Sequence, residues 1–386
     1  MTALPPELLN NDPAGFAWGV WHDRTPALVN QIRDAHPYGP AQRRGLAALL
    51  AEISSGLMAP LGPDAHDHGR WHSWGKDHFG RPWLEAPFLW SESYFYRRLL
   101  DAVHFFEQGP WYWVDPFEYL KTAELHAPAL EPDLAALDDL ERQPAQEQER
   151  AKLLASLWGN RADLGFRIGR TAGSGHAGQT RLVDDHSAEL RAALSATSHI
   201  VLVADNAGRE LMADLVLIDH FLQHGQAASV TVHVKPHPYY VSDATTTDVA
   251  AGLHRLSETP GSSAQIARRL LAAAAEGTLL LYTHEFYAAP WSYHRMPADL
   301  AGRFKQASLT ILKGDLNYRR LVGDRDWPPA TPFSDVASYF PGPVAALRTL
   351  KSDVITGIDP AVRASLDSTG APWRTDGSHG LIQVRR

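Results

Sequence analysis

The pattern of apolar and polar positions changes character near residue 195. Before that point apolar residues recur at helical spacing. The stretch "GPAQRRGLAALLAEISSGLM" puts Leu46, Leu49, Leu50 and Ile53 on one helical face. "APFLWSESYFYRRLLDAVHFFEQG" predicts a second, aromatic-rich helix closed by Gly109. Residues 127–150 are acidic, contain proline and are low in aromatics, as a helix–linker–helix passage would be, and "ERAKLLASLWGN" predicts a further helix. A Gly- and Ser-rich run over 169–187 reads as the joint between two halves.

After the joint, short apolar runs alternate with helical patterns. "HIVLVADN" ends an apolar run in polar residues and predicts a buried parallel strand. "AGRELMADLVLIDHFLQHG" repeats Leu211, Leu215, Ile218 and Leu222 at helical spacing and stops at Gly225. "SVTVHVKPHPYYVSDA" is a strand that opens into a polar loop. "QIARRLLAAAAEG" then predicts a helix, "TLLLYTHE" a strand, "LAGRFKQA" a helix and "LTILKGDLN" a strand. This alternation predicts an α/β fold with a doubly wound sheet. No internal repeat of fixed period is present.

Composition narrows the class. Of 386 residues, 44% are hydrophobic and 21% charged, the balance of an ordinary globular protein long enough for two domains. A formal net charge of −8 with no basic block argues against nucleic acid as a partner. No apolar run approaches the ~18 residues of a membrane span. The start, "MTALPPELLNND", lacks the basic and apolar regions of a secretory leader. Cysteine is absent, which excludes disulfides, thiolate catalysis and Cys-ligated zinc. The expectation is a cytoplasmic protein without nucleic-acid or membrane partners; the oligomeric state stays open.

Three strands end in comparable polar groups. "VLVADN" supplies Asp205 and Asn206, "VSDA" supplies Asp243, and "ILKGDLN" supplies Lys313, Asp315 and Asn317. In open α/β sheets ligands bind outside the carboxyl ends of the strands, so neighbouring strands would gather these groups at one edge. Two carboxylates and an amide oxygen are hard donors suited to Mg²⁺ or Mn²⁺. A lysine suits a phosphate, and the helix that follows Asn206 would aim free N–H groups into the same space. Metal, lysine and helix N-terminus together point to phosphoryl chemistry. The competing account makes Asp205 and Asn206 a plain helix N-cap, Lys235 and His237 surface groups, and the Lys313 stretch a solvated turn. His284 and Glu285 read as a partly buried polar pair rather than catalysts.

Other motifs are weaker. "GSGHAG", with Gly173, Gly175 and Gly178, spells a dinucleotide-binding loop but follows no convincing strand, and reads as a flexible loop. His66, His68, His72 and His78 could hold a transition metal, though Gly and Trp neighbours suggest an irregular loop. No G-x-S-x-G elbow is followed by Asp and His.

These stretches, taken in order, resemble the damage-control phosphatase family, in its acidic-residue methyltransferase-like subfamily. The likeness runs from about residue 80 to the C-terminus. It rests on "YFYRRLL", "DPF", "SLWGNRADL", "ADNAGRELMADLVLIDHFL", "VKPHPYYVSDA", "THEFY" and "KGDLNYRRLVGDRDWPPATPF". The subfamily signature Arg-Thr-x-Lys appears as Arg348, Thr349, Leu350 and Lys351. The resemblance implies an N-terminal helical domain over 1–168 and a Rossmann-like α/β/α domain over 190–386. It implies a divalent metal, Mn²⁺ first with Ni²⁺, Co²⁺ or Mg²⁺ able to serve, held by Asp205, Asn206 and Asp243. It implies that Lys313, Gly314, Asp315, Leu316, Asn317 and Lys351 meet a small phosphate ester of the fructose 1-phosphate kind. Lys313 would neutralise the phosphate, Gly314 would let the backbone come close, and Asp315 and Asn317 would orient sugar hydroxyls or a proton path. Asp205 would be either the nucleophile or a metal ligand that positions water. Arg209 departs from the apolar or aromatic residue usual in "NAGRE", and would either alter the preferred phosphoester or point away.

Two other functions compete. One is carboxyl methyl transfer from S-adenosylmethionine, for which "VLVADNAGRE" offers only Gly208 where a Gly-rich loop is needed. The other is a pathway-specific enzyme or binding protein derived from the phosphatase fold, against which the joint presence of Asp205, Asp243 and Lys313 speaks.

Overall fold

The computed structural model describes residues 4–159 and 181–386, so "GSGHAG" lies outside the described residues. Seven strands form one sheet: β1 (Leu182–Asp185), β2 (His199–Val203), β3 (Ser229–Val234), β4 (Leu279–Thr283), β5 (Leu309–Lys313), β6 (Val344–Thr349) and β7 (Gly380–Arg385). Their order is β1-β7-β6-β5-β2-β3-β4, and all pairs are parallel except β6–β7. The doubly wound α/β expectation holds. Beyond the four strands expected the sheet adds the buried β6, and with it β1 and β7. The latter two lie at or next to the sheet edge and carry Asp184, Gln383 and Arg385 among their apolar residues, so the apolar run that marks a central strand is missing.

Burial on both faces explains the unbroken apolar runs of the central strands. On β2, Ile200 and Leu202 enter one core while Val201 and Val203 enter another. The first core is closed by α5 (Leu130–Leu140), α6 (Ala145–Trp158), α7 (Arg209–Gln223), α8 (Thr246–Glu258) and α9 (Ser262–Glu276). The second lies under α10 (Ala298–Gln306), α11 (Gly314–Val322) and the Phe286–Tyr293 segment. Helices α1 (Thr25–Ala35), α2 (Pro40–Ser55) and α3 (Phe88–Ala102) build a third, aromatic core, and α4 (Glu118–Leu125) leads on to α5. Tyr239, Tyr240 and Leu316 reach into that third core from the α/β part, with Tyr240 stacked on Tyr96 at 4.6 Å. The carboxyl ends of β2, β3 and β5 are therefore set beside the N-terminal helices. Among the described residues no helix is long and apolar enough to cross a membrane.

Candidate active site

The strand order makes β5, β2 and β3 neighbours, so their exits share one edge. The backbone then tightens this arrangement. After β3 the chain makes a detour over 235–245 and returns to the exit of β2. Ala244 N–H donates to the Asp205 carbonyl at 2.8 Å and Ala207 N–H to that of Ser242 at 2.6 Å, with Asn206 and Asp243 paired as an isolated bridge. These bonds hold Asp243 beside Asp205. The helix starts two residues later than expected: α7 begins at Arg209, after Gly208 at φ 69°.

Asp205, Asn206 and Asp243 do come together. The amide nitrogen of Asn206 donates to Asp205 Oδ2 at 2.8 Å and to Glu210 Oε2 at 2.9 Å, and its oxygen accepts from Ser242. Asp205 is 6% exposed and Asp243 4%. Burial, then the charges of Glu210 and Asp243, push the Asp205 carboxyl well above the usual carboxylate range, against the pull of Lys351 and Lys235. Burial likewise raises Asp243, which Lys235 opposes. Lys235 Nζ stands 3.2 Å from Asp243 Oδ2, yet neither atom makes a well-directed hydrogen bond among the described residues. Gly314, at φ 80°, abuts this group: a Cβ there would sit 1.9 Å from Asp205 Oδ2. Only glycine allows this approach. A surplus of buried negative charge with an unsatisfied carboxylate oxygen suits a divalent cation, and the oxygen donors suit Mn²⁺ or Mg²⁺.

Lys313 is fully buried beneath that surface rather than part of a solvated turn. Its ammonium donates to the Ser156 carbonyl on α6, pairs with Asp214 Oδ1 at 2.8 Å and lies 3.4 Å from Glu210 Oε1. Burial pulls its pKa down, but Asp214 and Glu210 outweigh this and hold it charged. Asn317 is equally buried. Its amide donates to the carbonyls of Lys313 and Ala204, at 2.8 and 3.2 Å, and so ties the ends of β5 and β2 together. In place of the expected sugar contact, these bonds go to the chain itself. Leu316 packs into the aromatic N-terminal core.

Asp315 faces the loop after β6. Its Oδ1 accepts from Arg348 at 2.7 Å, from Ser352 Oγ at 3.1 Å and from the Lys351 N–H at 3.3 Å. Burial raises this carboxyl, but Arg348 and Arg319 outweigh it and hold it below the usual range. Arg348 itself is fully buried over Tyr318 and also binds the Val354 carbonyl. Arg348 and Asp315 thus hold the backbone that carries Lys351. The Lys351 ammonium forms no ion pair among the described residues, and its field reaches Asp205. Arg209 points away from the site into a buried pair with Asp133 on α5.

Sequence reasoning overlooked Glu210, Asp214 and Ser156, and its competing account offered Lys235 as a surface group, whereas it is 2% exposed. Glu210 stands one helical turn from Asn206, a spacing that could have flagged it. The others meet the site only through long-range packing. The remaining histidines stay outside. His284 bonds Asp299 at 3.1 Å, and Glu285 forms an exposed pair with Arg70. His68 bonds the Leu61 carbonyl, and among the described residues no three His, Cys, Asp or Glu are gathered in ligating geometry, so the oxygen set at the sheet edge is two carboxylates and the Asn206 amide.

Residues 20–366 match the damage-control phosphatase ARMT1-like domain family. The chain is 28% identical to the mouse damage-control phosphatase ARMT1 over 99% of both chains, and 26% identical to the human one over the same shares. The Xenopus laevis protein of that name is 29% identical over 78% of this chain and 75% of its own. A solved DUF89 family protein from Pyrococcus horikoshii superposes with a TM-score of 0.47 at 16% identity, over 95% of this chain and 98% of that one.

Proposed function

The chain belongs to the ARMT1-like damage-control phosphatase family, and from that premise we propose that it is a metal-dependent phosphoric monoester hydrolase. Its substrates would be sugar phosphates or related phosphometabolites of the fructose 1-phosphate kind. The observation that carries this reading is the burial of Asp205 and Asp243 side by side at the exits of β2 and β3, with Glu210 on the first turn of α7 beside them, which raises Asp205 in spite of Lys351 and Lys235. Asp205, Asn206 and Asp243 would hold the cation, Mn²⁺ by preference. When bound, it would supply Lewis-acid charge to the phosphoryl oxygens. Lys351 would meet the phosphate as a point charge. Lys313 acts from below by keeping Glu210 and Asp214 in place, and Asp315 by anchoring the Lys351 loop. Gly314 keeps the face of Asp205 open.

Carboxyl methyl transfer gains no support from the loop after β2. Its single glycine, Gly208, is covered by the Glu124 carboxylate. The experiment is phosphate release from a panel of sugar phosphates, with Mn²⁺ and after chelation. Hydrolysis lost on chelation and restored by Mn²⁺ supports the proposal. Methyl transfer from labelled S-adenosylmethionine without phosphate release overturns it.

A further inference from the structure

Glu124, near the C-terminal end of α4, lies outside the set of Asp205, Asn206 and Asp243. Its carboxylate lies directly over Gly208, where a Cβ would meet Oε2 at 2.4 Å. It therefore sits against the first turn of α7, whose N-cap makes no side-chain hydrogen bond. Gly208 is two residues past Asn206, and Glu210, two residues further on, accepts from the Asn206 amide at 2.9 Å; Glu210 and Lys351 are among the charges that act on both Glu124 and Asp205. Glu124 therefore stands against the loop that carries Asp205 and Asn206 into α7, beside which the proposed function puts the phosphate.

We propose that Glu124 is the proton donor to the leaving oxygen of the phosphate ester. The assignment rests on the phosphatase reading above. As the bond between phosphorus and the leaving oxygen breaks, its electron pair stays on that oxygen, which takes the proton from Glu124. The step is the same whether water or Asp205 supplies the attacking oxygen. Over one turnover a water adds its oxygen and one proton to the phosphoryl group, and its other proton returns to Glu124. The products are the free alcohol and inorganic phosphate.

The charge environment suits an acid. Burial, then Glu210, raises the Glu124 carboxyl to about 7, while Arg209 and Lys351 restrain it. Among the described residues these are the charges that act on it, Glu210 and Arg209 from α7, the latter from its pair with Asp133, and Lys351 from the loop after β6. A phosphate dianion arriving beside it would favour the protonated form further.

The test compares wild type with Glu124→Gln on a sugar phosphate and on p-nitrophenyl phosphate, whose leaving group departs as a stable phenolate and needs no proton. General acid catalysis is typically worth ~10²–10⁴-fold, so the variant should lose about that factor on the sugar phosphate and little on the aryl ester. Wild-type kcat/KM on the sugar phosphate should fall on the alkaline side, because the donor is then deprotonated, and Glu124→Gln should lack that limb. Lys351→Met should move the limb to higher pH, since a restraining positive charge is gone. Equal losses on both esters, or an unchanged limb in Glu124→Gln, overturn the proposal even though the enzyme remains a phosphatase. Absence of hydrolysis by wild type on either ester would instead sink the phosphatase reading, and Glu124 with it. Thermal melts of Glu124→Gln separate a folding defect from a chemical one.

Discussion

Two lysines at the rim of the sheet carry the same formal charge and sit in opposite environments. Lys313 is fully enclosed with Asp214 and Glu210, whereas Lys351 is half-buried and makes no ion pair among the described residues. Removing one partner of a buried pair leaves an uncompensated charge and typically costs ~3–5 kcal/mol. Lys313→Met should therefore be destabilised on that scale in urea unfolding, besides losing activity. The penalty should shrink at mildly acidic pH. Burial already lifts Asp214 to about 6, and without Lys313 it rises further, above its unfolded value. A carboxyl of that kind costs stability as pH rises and is relieved as pH falls. Lys351→Met should stay within about 0.5 kcal/mol of wild type and show its effect in KM. Equal stability losses in the two variants would contradict the burial described for Lys313.

The elements of the site are positioned by their neighbours more than by their own sequence. The loop after β6 is an example: Arg348, at the end of the strand, reaches Asp315 on the first turn of α11 and the carbonyl of Val354 within the loop. The Arg-Thr-x-Lys signature is thus half anchor and half probe. Asp315→Asn removes the charge that holds Arg348 while keeping an acceptor oxygen. If Asp315 only positions Lys351, KM for the best sugar phosphate should rise about tenfold, near 1.4 kcal/mol, with kcat much less affected. A collapse of kcat at unchanged KM would show instead that Asp315 takes part in the chemistry. The detour over 235–245 works in the same way, since its backbone bonds to the exit of β2 set the spacing of Asp205 and Asp243.

At the scale of the whole molecule, the boundary between helical and α/β parts is not a boundary in packing. Leu130, Leu134, Leu137, Leu154 and Trp158 belong to the same core as β2, β3 and α7. Gly159, at the end of α6, lies so close to α7 that a Cβ would meet the Glu210 Cα at 2.6 Å. The Ser156 carbonyl from α6 completes the surroundings of Lys313. A fragment of residues 181–386 would expose one face of its sheet-covering helix and leave Lys313 short of a partner. Expressed alone, it should lack near-ultraviolet circular dichroism and bind a hydrophobic dye, as loosely packed chains do. A cooperative melt of that fragment would show that it is an independent domain.

Local pattern alone determined a good deal. β2 and β5 keep their apolar residues on both faces because both faces are buried, β4 keeps an apolar run even at the sheet edge, where Leu280 and Leu281 are exposed, and the helices between the strands keep helical spacing, so the α/β class was legible. That Asp205 and Asn206 leave β2 at the sheet edge was legible too, because polar residues at the end of a buried strand have one place to go, whereas the nearness of Asp243 depends on the detour after β3. What the tertiary structure decided was environment. Lys313 and the Ser156 carbonyl are 157 residues apart, and nothing near either one announces the other. Asn317 and Asp315 look like substrate ligands in a one-dimensional string, yet their side chains bond the chain itself, because the backbone groups and guanidinium they face are brought there by β2 and β6. Glu124 is an ordinary acidic residue of a short helix until Gly208 makes room for it at the start of α7. Charge, burial and pKa depend on what surrounds a group in space, and that is set by contacts between segments remote from one another along the chain.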